Sequence, residues 1–284
     1  MNLKRLFWVL PIAFFIFYFF FLKEPSHYFN LVPIDRFSNS KIPCIPIEIG
    51  HLKLSLEVDS GFQGQLWLQH RFMDQLKNKS FHEEIWSCGV KGVPYKSIIF
   101  TVPDAKIGNL VIKNPLLKEH SEIFEQDGLI IKDNSEKPLY EKMGRVGWDL
   151  FKEHNLLIDI PNLKIGCCDS FKTLQKNGYS SYSFLRTPLL DNFSSISIQA
   201  FSQSKTLNCI IDTGTTGSVW NAAEQGNFMH LESLQIGDHD FGPLEVLPFP
   251  IKLPNPPDLI LGMNFLSNHI VFIDFKERCA YISY

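Results

Sequence analysis

Two short segments of the sequence are closely similar: residues 58–68 read VDSGFQGQLWL, and residues 211–220 read IDTGTTGSVW. Each contains an Asp-[Ser/Thr]-Gly tripeptide, Asp59-Ser60-Gly61 in the first stretch and Asp212-Thr213-Gly214 in the second. A single tripeptide of this kind is typical of an Asx turn, in which the aspartate side chain caps its own backbone. Two copies, each after an apolar run, indicate instead that one structural unit occurs twice in the chain.

Alternating apolar residues before each tripeptide predict a β-hairpin. In the first half, residues 45–49 and 52–58 place an apolar residue at every second position on either side of Gly50-His51. In the second half, residues 196–200 alternate in the same way, and residues 207–211 follow a polar turn. A period of two around a turn signal is typical of paired strands. Each tripeptide is therefore expected at the end of the second strand of a hairpin.

Three landmarks then recur in the same order in both halves: an Ile-Gly pair, an apolar-Gly pair and an Ile-Asp pair. They lie at residues 107–108, 146–147 and 158–159, and again at residues 236–237, 261–262 and 273–274. The step from the glycine of the second landmark to the aspartate of the third is 12 positions in both halves. The repeat predicts two related units, residues 41–169 and residues 184–284, joined by a polar linker at residues 170–183.

The elements between these landmarks are short and separated by Gly or Pro, which predicts an all-β protein. Short helices are expected only after Gly147, after Gly262 and at residues 71–77. Residues 247–258, LPFPIKLPNPPD, contain five prolines. This composition excludes a helix or a central strand there.

Two related lobes would bring Asp59 and Asp212 together at the axis between them. Two carboxyl groups this close share one proton, so the ionised member acts as a general base on a water and the protonated member donates to a scissile carbonyl. The glycine of each tripeptide lets the two loops approach closely. The residue between, Ser60 or Thr213, supplies a hydroxyl for hydrogen bonds to the opposite loop.

VDSGFQGQLWL and IDTGTTGSVW resemble the active-site loops of the aspartic peptidases of the pepsin and retropepsin superfamily. VGWDLF at residues 146–151 and ILGMNFL at residues 260–266 resemble the hydrophobic-hydrophobic-Gly motif that closes each lobe of that fold. The resemblance implies an all-β, bilobal acid-protease (retropepsin-like) fold with pseudo-two-fold symmetry. It implies that Asp59 and Asp212 are catalytic. The residues that would support the active-site loops are Ser60, Gly61, Thr213, Gly214 and Thr215.

The same resemblance implies an aspartic endopeptidase that hydrolyses peptide or protein substrates, needs no metal or organic cofactor and is active as a monomer. Residues 86–101, WSCGVKGVPYKSIIFT, predict a Gly-tipped β-hairpin. By resemblance this hairpin would be the flap that closes over substrate. Tyr95 is the candidate flap aromatic, and an ordinary strand residue is an equally good interpretation of it.

Two positions depart from the pattern of the family. Phe62 follows the first tripeptide at a position where pepsin-like loops carry a hydroxyl, whereas the second loop has Thr215 there. A missing hydroxyl would stabilise ionised Asp59 less. Arg145 occupies a position before Val146-Gly147 that is usually apolar. These departures favour an alternative function, a catalytically inactive retropepsin-like module that binds peptides or acts as a scaffold at the membrane.

The net charge of −3 gives no electrostatic reason to expect a nucleic-acid partner. Residues 6–22 form a run of 17 residues without a charge, which reaches the lower limit for a bilayer-spanning helix. We expect residues 1–40 to be a single-pass membrane anchor and a linker. Because Lys4 and Arg5 precede the run, the catalytic part is expected on the extracytoplasmic side, the periplasm in a bacterium. A cleaved signal peptide is the competing interpretation.

The six cysteines define no disulfide framework by their spacing. Cys209 lies in the apolar stretch LNCIID, residues 207–212. We expect it to be a buried free thiol.

Overall fold

The computed structural model describes residues 29–38, 41–88, 94–119, 143–191 and 195–284. Within these ranges the chain is predominantly β-sheet, as the alternation of apolar residues predicts. No helix in the described ranges is both long and apolar enough to cross a lipid bilayer. The predicted anchor at residues 6–22 lies outside the described residues.

The strands of the first half are, in chain order, β1 (Phe29–Pro33), β2 (Arg36–Phe37), β3 (Pro43–Ile49), β4 (Leu52–Asp59), β5 (Leu66–Leu68), β6 (Ser80–Cys88), β7 (Pro94–Thr101), β8 (Ala105–Ile107), β9 (Leu110–Ile112), β10 (Leu116–Glu119), β11 (Gly144–Gly147), β12 (Leu156–Asp159) and β13 (Lys164–Cys168). Those of the second half are β14 (Phe184–Pro188), β15 (Ser197–Ser202), β16 (Lys205–Ile211), β17 (Ser218–Asn221), β18 (Met229–Leu231), β19 (Gln235–Ile236), β20 (His239–Asp240), β21 (Leu244–Phe249), β22 (Leu259–Leu261), β23 (Val271–Asp274) and β24 (Cys279–Ser283).

Each half builds a sheet around the strand that leads into its Asp-[Ser/Thr]-Gly tripeptide. The sheet of the first half has the order β6-β7-β10-β5-β11-β4-β3-β8-β9, with β2 paired to β3. The sheet of the second half has the order β18-β21-β17-β22-β16-β15-β19-β20. The hairpins predicted before both tripeptides are confirmed as β3–β4 and β15–β16. In both sheets the tripeptide strand also pairs in parallel with the strand of the apolar-Gly landmark, β11 or β22.

A third sheet takes three strands from each half, in the order β1-β13-β12-β23-β24-β14. Strands β12 and β23 join the halves by antiparallel pairing, with Leu156 opposite Ile273 and Ile158 opposite Val271. Beside this junction the Phe275 amide donates a hydrogen bond of 2.9 Å to Asn155 Oδ1. The two halves therefore share one continuous sheet.

The helices of the described residues are short. They are α1 (His70–Met73), a 3₁₀ helix (Trp148–Phe151), α2 (Phe171–Leu174), which runs on into a π-helical segment (Gln175–Tyr179), and α3 (Met263–Leu266). Three of these lie where the sequence predicts helices, whereas α2 lies in the segment predicted to be a polar linker. Ser170 Oγ caps α2 by accepting from the Thr173 amide (3.2 Å), and Leu174 is fully buried. The linker segment is therefore packed against the protein.

Strand β21 corrects the expectation that the prolines of residues 247–258 exclude a central strand. Pro248 belongs to β21, which lies between β18 and β17. Pairing with β18 ends at Val246, whereas pairing with β17 continues to Phe249. Pro248 is therefore placed beyond the point where β18 is hydrogen-bonded, and its missing N–H interrupts no ladder on that side.

The described cysteines Cys44, Cys167, Cys168, Cys209 and Cys279 are all buried, and Cys209 is a free thiol. This confirms the expectation for Cys209. Burial raises the pKa of the Cys168 thiol to about 12 and raises the pKa of the Cys209 thiol as well. Thiols in this state are unreactive as nucleophiles.

Candidate active site

Asp59 is the last residue of β4 and lies opposite Gly147 of β11. Its side chain is 7% exposed. The turn that follows is closed by the Phe62 amide, which donates to the Asp59 carbonyl (3.1 Å). Within this turn the Gly61 amide donates to Asp59 Oδ1 (3.1 Å). The backbone of the first loop therefore binds one oxygen of the carboxyl group.

Asp212 has the equivalent place in the second half. It follows β16, and its amide donates to the carbonyl of Leu261 in β22 (3.0 Å). The Gly214 amide donates to Asp212 Oδ1 (2.7 Å), and Thr215 Oγ1 donates to Asp212 Oδ2 (2.6 Å). Both oxygens of this partly buried carboxyl group are bound by its own loop.

Each carboxyl group lies against the opposite loop. A Cβ atom built on Gly61 would lie 2.5 Å from Cγ of Asp212, and one built on Gly214 would lie 2.5 Å from Cγ of Asp59. Each carboxyl group therefore packs directly on the glycine of the opposite tripeptide, and the two groups are close enough to hydrogen-bond to each other. Any side chain at either glycine would displace a carboxyl group, which explains why both positions are glycine.

Four hydrogen bonds join the two loops beneath the carboxyl groups. The Ser60 amide donates to Thr213 Oγ1 (2.9 Å), and the Thr213 amide donates to Ser60 Oγ (2.9 Å). Ser60 Oγ in turn donates to the Ile211 carbonyl (2.9 Å), and Thr213 Oγ1 donates to the Val58 carbonyl (2.6 Å). Ser60 and Thr213 are 1% and 0% exposed. Because water does not reach these groups, each loop depends on the other for its buried hydrogen bonds.

The glycines of the apolar-Gly landmarks hold each loop from behind. A Cβ atom on Gly262 would lie 2.6 Å from the carbonyl carbon of Gly217, and one on Gly147 would collide with the carbonyl oxygen of Gly64. Gly64 and Gly217 each follow the aspartate of their loop by five positions. This second pair of glycines extends the repeat beyond the landmarks that the sequence predicts.

Arg145 lies directly against Asp59. Its Nη1 donates to Asp59 Oδ2 (2.5 Å), and its Nε donates to Glu57 Oε2 (3.3 Å). Its guanidinium carbon lies 5.5 Å from the centre of the Trp67 ring. Arg145 pairs in register with both Glu57 and Trp67, so strand pairing sets these contacts. In the sequence Arg145 stands out only as a departure from an apolar position, and no sequence signal identifies Glu57 or Trp67 as its partners.

The charges of the site are distributed unequally. Removal from water and the negative charge of Asp59 raise the pKa of Asp212 to about 7, although the donors Thr215 and Gly214 favour its ionised form. Burial lowers the pKa of Arg145, but the carboxylates of Asp59, Glu57 and Asp212 outweigh it and raise that pKa above its ordinary value. The site therefore combines a permanent cation with a carboxyl group that keeps a proton up to about neutral pH.

Strands β6 and β7 form the hairpin predicted at residues 86–101 and extend it back to Ser80. Its tip, residues 89–93, lies outside the described residues. Tyr95 lies in β7 opposite Ser87, and its side chain is likewise outside the described part of the chain. Lys118 Nζ donates to Ser87 Oγ (2.7 Å), which connects the hairpin to β10.

Among the residues that the structure describes, no three His, Cys, Asp or Glu side chains are grouped so that they could hold a metal ion. The groups that the site offers are two carboxyl groups, a guanidinium and the hydroxyl of Thr215. These groups support proton transfer to and from a bound water or substrate.

Two comparisons with known proteins, by family model and by sequence, gave no match. No protein-family model matches the chain, and no curated protein matches its sequence at a significant level. The function is therefore inferred from the geometry of the site itself.

Proposed function

We propose that this protein is an aspartic endopeptidase, which hydrolyses peptide bonds with a water held between Asp59 and Asp212. The observation that carries the proposal is the packing of each carboxyl group on the glycine of the opposite tripeptide, within hydrogen-bonding reach of the other carboxyl group. Such a pair shares one proton, which provides a general base and a general acid at the same place.

The proposal includes a bilobal, retropepsin-like fold with pseudo-two-fold symmetry. Residues 41–169 and residues 184–284 would be the lobes, related by an axis that passes between the aspartates. Two observations support this arrangement. The tripeptide strand pairs in parallel with the apolar-Gly strand in both halves. The hydrogen bonds between Ser60 and Thr213 are reciprocal.

In the proposed reaction the ionised carboxylate takes a proton from the water as the water oxygen attacks the scissile carbonyl carbon. The protonated carboxyl group donates its proton to the carbonyl oxygen, which gives a neutral tetrahedral diol. The first carboxyl group then passes its proton to the departing nitrogen while the C–N bond breaks. The second carboxylate recovers its proton from the diol, and the dyad returns to its starting state.

We also propose that one chain is the active unit, because a single chain supplies both aspartates. Its substrates would be peptides or proteins on the extracytoplasmic side of a membrane, with residues 6–22 as the anchor. The uncharged run and the preceding Lys4 and Arg5 support this placement.

Cleavage of a peptide library by the detergent-solubilised full-length chain tests the peptidase proposal. We expect cleavage at mildly acidic pH, inhibition by a statine-type transition-state mimic, and a loss of more than about 1,000-fold in kcat/KM in Asp59→Asn and in Asp212→Asn, because either change removes a reacting group. Asp238→Asn, at an exposed position in the turn between β19 and β20, is the control that should leave cleavage unchanged. Cleavage by both dyad variants at the rate of the parent would show that the proposed mechanism is wrong.

A second candidate function is a peptide-binding module without turnover. The observation that favours it is the ion pair between Arg145 and Asp59, which ties up one oxygen of the dyad. Such a module would bind extended peptides by strand-like pairing and would need no activated water. It predicts that peptides bind and are recovered intact, and that Asp212→Asn binds them as well as the parent. Hydrolysis that the transition-state mimic abolishes would exclude it.

A further inference from the structure

We propose that Arg145 supplies the donor that the first active-site loop lacks, and that its fixed charge makes Asp59 the base and Asp212 the acid of the dyad. This inference rests on the proposed peptidase function and assigns a positioning residue to it. Phe62 and Arg145 both depart from the family pattern, and the two departures are linked: Arg145 provides the hydrogen-bond donor that Phe62 cannot provide.

The contacts of the two aspartates correspond oxygen for oxygen. In each loop Oδ1 accepts from the amide of the tripeptide glycine, Gly61 or Gly214. In the second loop Oδ2 of Asp212 accepts from the hydroxyl of Thr215 (2.6 Å). In the first loop the equivalent residue is Phe62, which has no donor, and Oδ2 of Asp59 accepts from Arg145 Nη1 (2.5 Å) instead. The donor count is the same, but only one donor is charged.

Arg145 is held in this position by its own strand neighbourhood. It is level with Glu57 on β4, and the side chains of Glu57 and Asp59 lie on the same face of that strand. The guanidinium can therefore bridge both carboxylates, and it lies over the Trp67 ring. Its side chain is only 20% exposed. An exposed arginine side chain could adopt other rotamers, whereas this guanidinium is held by hydrogen bonds from both Nε and Nη1.

In the second half, the positions equivalent to Arg145 and Glu57 are occupied by uncharged residues. Ile260 of β22 is in register with Ile210 of β16, two positions before Asp212. Arg145 and Glu57 hold the corresponding positions of β11 and β4. A charged pair in the first half thus stands where the second half has an apolar pair. The charged pair occurs in the half whose loop lacks the hydroxyl.

The charge of Arg145 makes the two carboxyl groups of the dyad electrostatically different. The groups that face Asp59 are Arg145 on the neighbouring strand β11, Glu57 on its own strand β4 and Asp212 on the opposite loop. Lys118 of β10, a further cation of the described residues, lies with Nζ 5.9 Å from the Phe62 ring and donates to Ser87. A cation in hydrogen-bonding contact favours the ionised form of a carboxyl group. The contact with Arg145 therefore assigns the role of base to Asp59 and leaves Asp212 as the acid that carries the shared proton.

The pH dependence of cleavage by the full chain tests this assignment, because the acid limb of kcat/KM reports the second proton taken up by the dyad. Arg145→Met is expected to move the acid limb to higher pH by about 1–3 pH units, the effect of an adjacent opposite charge. Arg145→Lys keeps the charge and should leave the limb within about half a pH unit of the parent. Phe62→Thr combined with Arg145→Met restores a hydroxyl and should move the limb part of the way back. A purely structural role predicts lower kcat at every pH with an unmoved limb, and that result would overturn the proposal.

Two further measurements keep the outcome decisive. If Arg145→Met fails to fold because Glu57 is left buried with its charge, the double variant Glu57→Ile/Arg145→Ile copies the apolar pair of the second half, a replacement that buried ion pairs often tolerate. NMR titration of the carboxyl carbons follows proton uptake by the dyad without any need for activity. If the parent cleaves nothing, the peptidase proposal fails, and the titration still decides the role of Arg145. Equal titration curves for the parent, for Arg145→Met and for Glu57→Ile/Arg145→Ile would refute that role.

Discussion

Thr215 and Arg145 donate to corresponding oxygens of the two aspartates, one as a neutral hydroxyl and the other as a cation. The dyad is therefore asymmetric before any substrate arrives. A symmetric pair of carboxyl groups leaves the proton free to reside on either side. Here the charge on one side and the raised pKa of Asp212 on the other favour a single arrangement.

Asp212→Asn is expected to stabilise the protein at neutral pH. The pKa of Asp212 is about 7 in the folded protein and 3.8 without the protein environment, so the folded state holds a proton that the unfolded state releases. The wild-type free energy of unfolding therefore falls as pH rises from about 4 to about 7. Asparagine does not titrate, so above about pH 7 the variant should be more stable than the wild type, by an upper limit on the order of 4 kcal/mol.

Urea unfolding between about pH 4 and about pH 8 measures this difference. The gap between Asp212→Asn and the wild type should widen through this range and then level off above about pH 7. Asp238→Asn removes an exposed turn carboxylate and serves as the matched control. A gap of constant size at every pH would contradict the expectation.

The identities of the two aspartates could be predicted because their tripeptides are contiguous and occur twice. The role of Arg145 could not, because it lies 86 positions from Asp59 and reaches it only through the parallel register of two strands. A sequence pattern shows that Arg145 occupies a position that is usually apolar. It does not report which side chain on the neighbouring strand lies beside that slot.

Strands β4 and β16 meet through their ends. Ser60 and Thr213 each insert a hydroxyl into the opposite loop, where it accepts from an amide and donates to the carbonyl of the residue before the aspartate. The position of each carboxyl group is thus set by the other half of the chain. Loops that were tied only to their own strands would not hold two negative groups together.

Ser60→Ala is expected to destabilise the protein by about 1–3 kcal/mol, chiefly because the buried Thr213 amide loses its acceptor. Ser55→Ala, on the strand β4 that leads into this loop, is the matched control. Ser55 Oγ is buried without a hydrogen-bond partner among the described residues, so its removal should cost little. Chemical denaturation of both variants gives the two free energies. Equal losses in the two variants would show that the hydrogen bonds between the loops contribute nothing specific.

The sequence predicts the hairpins well, but it predicts poorly the strands and helices whose structure depends on their neighbours. Period-two alternation is a local property, and it correctly predicted β3–β4 and β15–β16. Helix α2 and the π-helical segment after it were missed because they bury Leu174 and Tyr179 against the shared sheet, which a polar composition does not reveal. Pro248 was misjudged because its tolerance depends on where pairing with β18 stops.

The whole molecule is held together by the sheet that takes β1, β12 and β13 from one half and β14, β23 and β24 from the other. Its central pairing, β12 with β23, is between halves. The largest cluster of buried apolar side chains also includes members of both halves, such as Leu56 and Ile211. Neither half contains all the partners of its own buried groups.

Residues 184–284 expressed alone are therefore expected to lack a cooperative unfolding transition. This fragment loses the strand that pairs with β23 and the Ser60 hydroxyl that binds the Thr213 amide. Addition of the complementary fragment, residues 29–183, should restore the transition, because both sets of partners return. Circular dichroism during chemical denaturation measures it. Cooperative unfolding of the isolated fragment as a monomer would contradict this expectation.

The buried thiols can report which sheet of the protein opens during unfolding. Cys44 is in the sheet of the first half, Cys209 is in the sheet of the second, and Cys167, Cys168 and Cys279 are in the sheet that both halves share. An alkylating reagent can modify such a thiol only while its sheet is open. In a Cys88→Ser background, the order in which mass spectrometry finds these positions labelled in rising denaturant would show which sheet separates first.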